Sequence, residues 1–243
     1  MSSEFIKEKF LGWRMIISAN LVDFISAGLA FYAYAIFFGF IQEEFSASRF
    51  LVSMTVSVMI LAAGIYSPVM GIILDKFPIR KILTIGAFLF GLGFILLSTA
   101  QSFIQFLIIY GTFVALGVVI FGNLSTAKLI SNWFNEKIGT ALGYASIGLS
   151  ASGVIIPPIA VFLISVFGWR GAYLIFGSFV LIICSYLSYK FIIDKPSDVN
   201  QYPDGKETQE IASNEHEVKE KTFLEIFSVK SFWILTIIDE NDN

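Results

Sequence analysis

Asp23 lies deep within a long apolar stretch, where an ionisable group is unusual. It follows Met15 by eight residues, which places it about 12 Å along a helix. A carboxylate in hydrocarbon costs a few kcal/mol, so such a residue usually faces a cavity or a partner. We interpret Asp23 as a cavity-facing proton carrier; the alternatives are a permanently neutral acid in an interhelical hydrogen bond and a carboxylate that reaches the cytosolic interface. On a helical wheel it shares one stripe with Asn20, Ala27, Ala30 and Tyr34.

Lys128 ends another apolar stretch and allows two interpretations. Its long stem can carry the ammonium group to the membrane interface, or the cation can attract an anionic small molecule. Asn123 lies one turn deeper, with Thr126 three residues on. Asn123 either lines the same cavity or bonds a neighbouring helix.

The segment 71–81, GIILDKFPIRK, concentrates charge between two apolar stretches. Asp75 is at the end of a predicted helix, where the helix dipole disfavours a carboxylate by some tenths of a kcal/mol. It therefore needs a partner, which is either a nearby cation or a helix N-terminus from elsewhere. Gly71, one turn earlier, would allow another helix to approach closely. The cations of the segment are Lys76, Arg80 and Lys81.

The composition places the chain among membrane proteins. Of its 243 residues, 56% are hydrophobic and 14% charged, whereas soluble domains carry about 25% charged residues. A net charge of −3 gives no indication of a nucleic-acid partner. One cysteine and one histidine exclude a disulfide framework and a His/Cys metal cluster, and we expect neither metal nor cofactor.

Six segments are long and apolar enough to cross a bilayer, which predicts an all-α polytopic membrane protein. Lys and Arg divide fourteen to two between the sides, or eight to two without the long last loop, so the N-terminus is predicted to be cytosolic. On the outer side, Arg170 either caps helix ends or meets anions. The predicted spans are 15–38, 51–74, 82–100, 103–127, 139–167 and 172–193. The fifth contains a predicted close-packing face of Gly139, Gly143, Ser146, Ser150 and Gly153.

These spans divide the chain into four parts. Residues 1–14 form a cytosolic N-terminus and 15–193 the six-helix membrane domain. Residues 194–229 are rich in charge, proline and glycine, which predicts a solvated cytosolic linker. Residues 230–243 are the start of an incomplete seventh helix or, alternatively, a short interfacial helix.

The charged segment resembles the loop 2–3 signature of the major facilitator superfamily, G-x-x-x-D-R-x-G-R-R/K. Gly71 and Asp75 match, Lys76 stands for the usual Arg, and the basic pair 80–81 is shifted by one residue. Pro78 stands where the family has Gly. The stretches NWFNEKIGTALGYASIG, FGWRGAYLIFG and KPSDVNQYPDG resemble the monocarboxylate and oxalate/formate porters of that superfamily.

This resemblance implies a plasma-membrane secondary transporter of twelve helices that moves a small organic anion, such as a monocarboxylate, with protons. The present chain would be its N-terminal half, without the C-terminal six helices. The family's loop 2–3 aspartate, here Asp75, also contacts the opposite half near helix eleven. A truncated or half-length membrane protein without transport activity, which needs a separate partner half, is the alternative. An intramembrane enzyme would need paired ionisable groups, and a channel would need a filter of backbone carbonyls; the sequence favours neither.

Overall fold

A computed structural model describes residues 10–206 of the chain. The predicted seventh-helix start at 230–243 and most of the predicted linker lie outside these residues.

Five helical runs make up the described residues, and all are long and apolar enough to cross a membrane. The last is divided at Gly168, whose φ of 69° and ψ of 170° interrupt the helix. We call its two parts α5 and α6, so that the six predicted spans are present in the predicted order. The prediction of an all-α polytopic membrane protein is confirmed. The runs are α1 Gly12–Glu44, α2 Arg49–Lys76, α3 Ile79–Ser98, α4 Phe103–Trp133, and the combined α5 and α6 Ile138–Phe191.

Helix α5 packs against α1 so closely that its small residues are required. A Cβ atom added to Gly148 would lie 2.1 Å from the backbone oxygen of Asn20, and the Asn20 side chain donates to the Tyr144 carbonyl at 3.0 Å. Gly28 of α1 meets the Ile156 side chain at the same interface. The α5 residues buried along this face include Ala141, Ala145, Gly148, Ser152 and Ala160.

Most of the predicted close-packing face of α5 does not meet another helix within the described residues. An added Cβ on Gly139 or Gly143 would meet nothing within 4 Å, and Ser146 and Ser150 are exposed. Only Gly153 of that set makes a close approach, to the Tyr32 ring. The helix carries small residues on two faces, and residue size alone does not decide which one packs against α1.

Arg170 fixes the end of the bundle where α1 ends and α6 begins. Its guanidinium group donates to Glu44 at 2.6 Å and to the Ala100 carbonyl at 2.8 Å. It also lies 4.2 Å from the centre of the Trp169 ring. Arg170 therefore joins three helix ends, which agrees with a capping role.

At the other end, which we call the linker end, residues 194–206 are bound to the bundle. The Asp194 side chain accepts from the backbone N–H of Arg80 at 2.6 Å, and Trp133 donates to the Ile193 carbonyl at 3.0 Å. The Asp204 carboxylate accepts from three consecutive backbone N–H groups, 135–137, which lead into α5. The first part of the predicted solvated linker is thus a strap across helix ends.

Replacement of Gly148 tests the α1–α5 contact. We expect Gly148→Ala to lower the free energy of unfolding by about 1–3 kcal/mol, because the added methyl group overpacks a tight interface. Gly143→Ala is the matched control, since it adds the same group to the same helix in open space and is expected to be neutral or slightly stabilising. Denaturant titration of the purified chain in detergent measures both. Equal effects would contradict the assigned interface.

The Asp204 strap should depend on pH. Burial raises the pKa of Asp204, but the N–H groups of Glu136, Asn135 and Lys137 outweigh it, so the pKa lies below its usual value. A lowered pKa stabilises the strap above the unfolded pKa of about 3.9, and this contribution is lost as pH falls through the folded value.

We therefore expect Asp204→Ala to make the strap about tenfold more sensitive to proteolysis at pH 7, as loss of a cap worth about 1 kcal/mol or slightly more predicts. The difference between the variant and the parent should shrink as the pH falls below the unfolded pKa, and an acid-tolerant protease allows the comparison at pH 3. A difference that persists undiminished at pH 3 would contradict the charge-based cap.

Candidate functional site

Helix α4 is broken two-thirds of the way along its length. Phe121, with φ −104° and ψ 61°, and Gly122, with φ −168° and ψ −157°, are not helical, and the helix resumes as Asn123–Trp133. The Ser125 hydroxyl donates to the Ile120 carbonyl at 2.7 Å, which satisfies one oxygen freed by the break. Such compensation is what allows irregular backbone within a membrane domain.

Asp23 lies against the restarted part of α4. It is 3% exposed, and the Thr126 hydroxyl is 3.0 Å and 3.2 Å from its two carboxyl oxygens. Within residues 10–206, no cation forms an ion pair with Asp23. The interhelical hydrogen bond that one of the alternative interpretations required is therefore present. In the described residues Asp23 is enclosed by protein and does not face the open cavity that our interpretation had expected.

The Thr126 hydroxyl has a second possible acceptor, the Asn123 carbonyl, at 3.0 Å. A hydroxyl group carries one proton, so it donates to one of these acceptors at a time. When Asp23 is ionised, Thr126 can donate to the carboxylate. When Asp23 is protonated, it can donate to the Thr126 oxygen, and Thr126 is then available for the Asn123 carbonyl. Proton binding at Asp23 can thus change a hydrogen bond at the helix restart.

The other predicted residues on α1 lie at two different levels of the bundle, Asn20 half-buried and Tyr34 buried. Asn20 lies close to Asp23 in sequence and bonds α5, as described above. Tyr34 is 2% exposed, donates to the Val52 carbonyl at 2.7 Å, and its ring centre lies 5.1 Å from that of Tyr110. Asn123 is the exposed first residue of the restarted helix. It is linked to Asp23 through the Thr126 hydroxyl, which lies within hydrogen-bond distance of both residues.

Two π-helical turns meet near Tyr34, and sequence analysis missed them. They occupy Gly28–Ala33 of α1 and Tyr110–Val114 of α4. The Tyr110 hydroxyl donates to the Ala30 carbonyl at 2.7 Å and so joins the two turns. π-Helical turns are frequent at functional sites, where they shift the register of a helix. The sequence does not reveal these turns, because a tyrosine within an apolar span is as compatible with a regular α-helix as with a π-helical turn.

The charged segment 71–81 makes a contact that the sequence did not predict. Lys128 donates to Asp75 at 2.6 Å, so the partner of Asp75 comes from α4 and not from the segment itself. The side chains are 38% and 67% exposed, respectively. The ammonium group of Lys128 is thus paired with Asp75 at the linker end of the bundle. While this pair is closed, Lys128 neither extends freely to the membrane interface nor offers an unpaired charge to an anion.

The remaining residues of the segment have separate roles. Arg80 binds the strap through its backbone N–H, and its side chain donates to the Ile192 carbonyl at the end of α6 at 2.7 Å. Lys76 and Lys81 are exposed. Gly71 is half-buried, and an added Cβ would meet nothing within 4 Å, so the face of α2 around it is open.

Some of the missed features had a signal in the sequence. Gly122-Asn123, followed by Ser125 and Thr126, interrupts an apolar run with helix-breaking and helix-starting residues, which would have predicted the restart. Asp194, Trp133 and Asn132, which donates to the Asp194 carbonyl at 3.1 Å, had none. Their roles depend on how the chain after α6 folds back onto α3 and α4.

The Major Facilitator Superfamily sequence model matches residues 24–238. The chain belongs to the major facilitator superfamily. Among curated members, it is similar to an uncharacterized MFS-type transporter, YcxA, of Bacillus subtilis, with 30% identity over 135 residues. That match covers 56% of this chain and 33% of the relative.

Two human members of the superfamily are also similar. Monocarboxylate transporter 1 is 30% identical over 178 residues, which cover 71% of this chain and 34% of the relative. Monocarboxylate transporter 2 is 29% identical over 177 residues, with 71% and 36% covered. The chain thus spans about a third of the length of these curated relatives.

Loss of the Thr126 hydroxyl tests the Asp23 contact. We expect Thr126→Val to lower the free energy of unfolding by about 1–3 kcal/mol, because Asp23 would remain buried without this hydrogen bond. Thr126→Ser keeps the hydroxyl and should retain most of the stability. Denaturant titration in detergent compares the two variants, and equal losses would show that the methyl contacts of Thr126, not its hydroxyl, matter.

Proposed function

We propose that this chain forms the N-terminal half of a secondary transporter that moves a small organic anion, such as a monocarboxylate, together with protons. The observation that carries the proposal is the buried Asp23–Thr126 contact at the break in α4. Membership of the superfamily and the names of the human relatives support the transport class and the type of substrate. In this proposal the protein spans the plasma membrane with its N-terminus in the cytosol.

Asp23 is the proton carrier in the proposed mechanism. Its carboxylate is expensive to keep ionised within the bundle, so proton uptake removes a buried charge. The Thr126 hydroxyl then changes its acceptor from Asp23 to the Asn123 carbonyl, as the distances allow. Proton binding would therefore alter the exposed start of the restarted helix, where part of the substrate pathway would lie.

The linker end is the proposed gate. The Asp75–Lys128 pair is largely exposed, and exposed pairs contribute about 1 kcal/mol or less, so it can open at low cost. In the proposed cycle, Asp75 exchanges Lys128 for a contact in the opposite half, and the released Lys128 ammonium then attracts the substrate anion. Gly71 leaves the space on α2 that such a contact requires. Rocking of two halves around a midplane site is the general mechanism of such folds.

Reconstitution with a complementary six-helix half tests the proposal. With that half present, we expect Asp23→Asn to reduce substrate-driven proton movement at least tenfold while it retains most substrate exchange, because an amide cannot carry the proton. Radiolabelled lactate uptake and an internal pH dye measure the two quantities in the same vesicles. Glu43→Gln is the matched control, since it removes an exposed carboxylate from the same helix.

Unchanged proton coupling in Asp23→Asn would remove this residue from the mechanism. The chain without a partner half should be silent in the same assay, because it would enclose the substrate on one side only. Robust uptake by this chain alone would contradict the half-transporter proposal and indicate a homodimer. Silence in the presence of every complementary half tested would favour the alternative, a membrane protein without transport activity.

A further inference from the structure

A groove of about 440 Å³ runs between α1 and α6 on the linker-end side of the bundle. It lies apart from the Asp75–Lys128 pair, and it borders the break in α4, because Phe121 and Val22 are among its lining residues. Cys184 and Ser188 are buried in its floor. Its walls are almost entirely apolar and include Ile17, Leu21, Ile25, Phe179, Leu187 and Phe191.

Two cations lie close to the ring of Phe191, which lines this groove near its linker end, which we call the mouth. Arg14 forms part of the lining, and its guanidinium carbon lies 5.9 Å from the centre of the Phe191 ring. The Lys190 ammonium lies 5.7 Å from the same ring centre. Both cations are exposed, and neither forms an ion pair within residues 10–206. The mouth therefore carries two positive charges that no neighbouring carboxylate balances in this part of the chain.

We propose that this groove binds an anionic phospholipid, with an acyl chain between α1 and α6 and the phosphate group between Arg14 and Lys190. The apolar walls match a hydrocarbon chain, and basic pockets between membrane helices match anionic headgroups. Arg14 and Lys190 lie at helix ends, where long basic side chains extend to the membrane interface. Trp13, which is 47% exposed beside Arg14, is typical of that level.

The positive charge of Arg14 and Lys190 favours an anionic lipid over the other molecules that could fill an apolar groove. A zwitterionic lipid carries no net charge to balance two cations, whereas one phosphatidylglycerol headgroup supplies a negative charge at the level of the phosphate. A hydrophobic partner helix would fill the groove without neutralising Arg14 and Lys190. The anionic lipid is therefore the occupant that matches both the walls and the mouth.

Lipid titration of the purified full-length chain in detergent, followed by native mass spectrometry, tests the proposal. Phosphatidylglycerol is the probe and phosphatidylcholine of the same acyl chains the reference. Each basic residue near a membrane surface contributes enough attraction to change affinity about fivefold, so the double variant Arg14→Gln/Lys190→Gln should weaken phosphatidylglycerol binding about twenty- to thirtyfold. The double variant Lys81→Gln/Lys137→Gln removes two exposed cations elsewhere at the linker end and should leave that binding within twofold.

A photoreactive phosphatidylglycerol with its reactive group on the acyl chain locates the bound lipid independently of affinity. We expect cross-links in peptides from α1 and α6, competed by unlabelled phosphatidylglycerol and not by phosphatidylcholine. Equal binding of the two lipids, equal losses in the two double variants, or cross-links spread evenly over all helices would each overturn the proposal. A dimer that only Arg14→Gln/Lys190→Gln dissociates would also overturn it, because a second copy would then occupy the groove.

Discussion

The hydrocarbon core of a bilayer offers no water as a hydrogen-bond partner, so polar groups at that depth must find partners within the protein. The contact between α1 and α4 shows this constraint most clearly. The break at Phe121-Gly122 frees backbone groups, and Ser125 satisfies one of them by bonding to the Ile120 carbonyl. In the next residue, the Thr126 hydroxyl can donate either to Asp23 or to the Asn123 carbonyl. The break, the buried acid and the two hydroxyl groups are thus one connected arrangement, and each member is costly without the others.

The same constraint explains why the two ends of the bundle differ. Arg170 binds Glu44, the Ala100 carbonyl and the Trp169 ring together, so several contacts must break before α1, α3 and α6 separate. At the linker end, Asp75 and Lys128 form an isolated and largely exposed pair between α2 and α4. Water can replace either partner there. The strap bonds several other helix ends at the linker end, but the pair that joins α2 to α4 there is exposed and can open, which suits the gate proposed above.

Much of the architecture could be predicted from the sequence, because bilayer thickness imposes a strict length on each span. The six helices follow from hydropathy alone, and Asp23 was identified by its depth within one of them. The partner of Asp23 could not be found in this way, since Thr126 is 103 residues away and hydroxyl groups are common in membrane helices. Asp75 is similar: its need for a partner followed from its position at the end of α2, but the identity of Lys128 depends on how α2 and α4 meet.

The helix faces that remain open are as informative as those that pack. Gly143 on α5, and Gly64 and Gly71 on α2, have no atom within 4 Å of an added Cβ. Lipid contact does not require small residues, since larger side chains cover helices in bilayers equally well, whereas close helix approach does. The buried face of α5 confirms that this chain uses small residues where helices touch, as Gly148 does against Asn20. By the same physical rule, the open faces of α2 and α5 around these glycines are suited to contact with further helices.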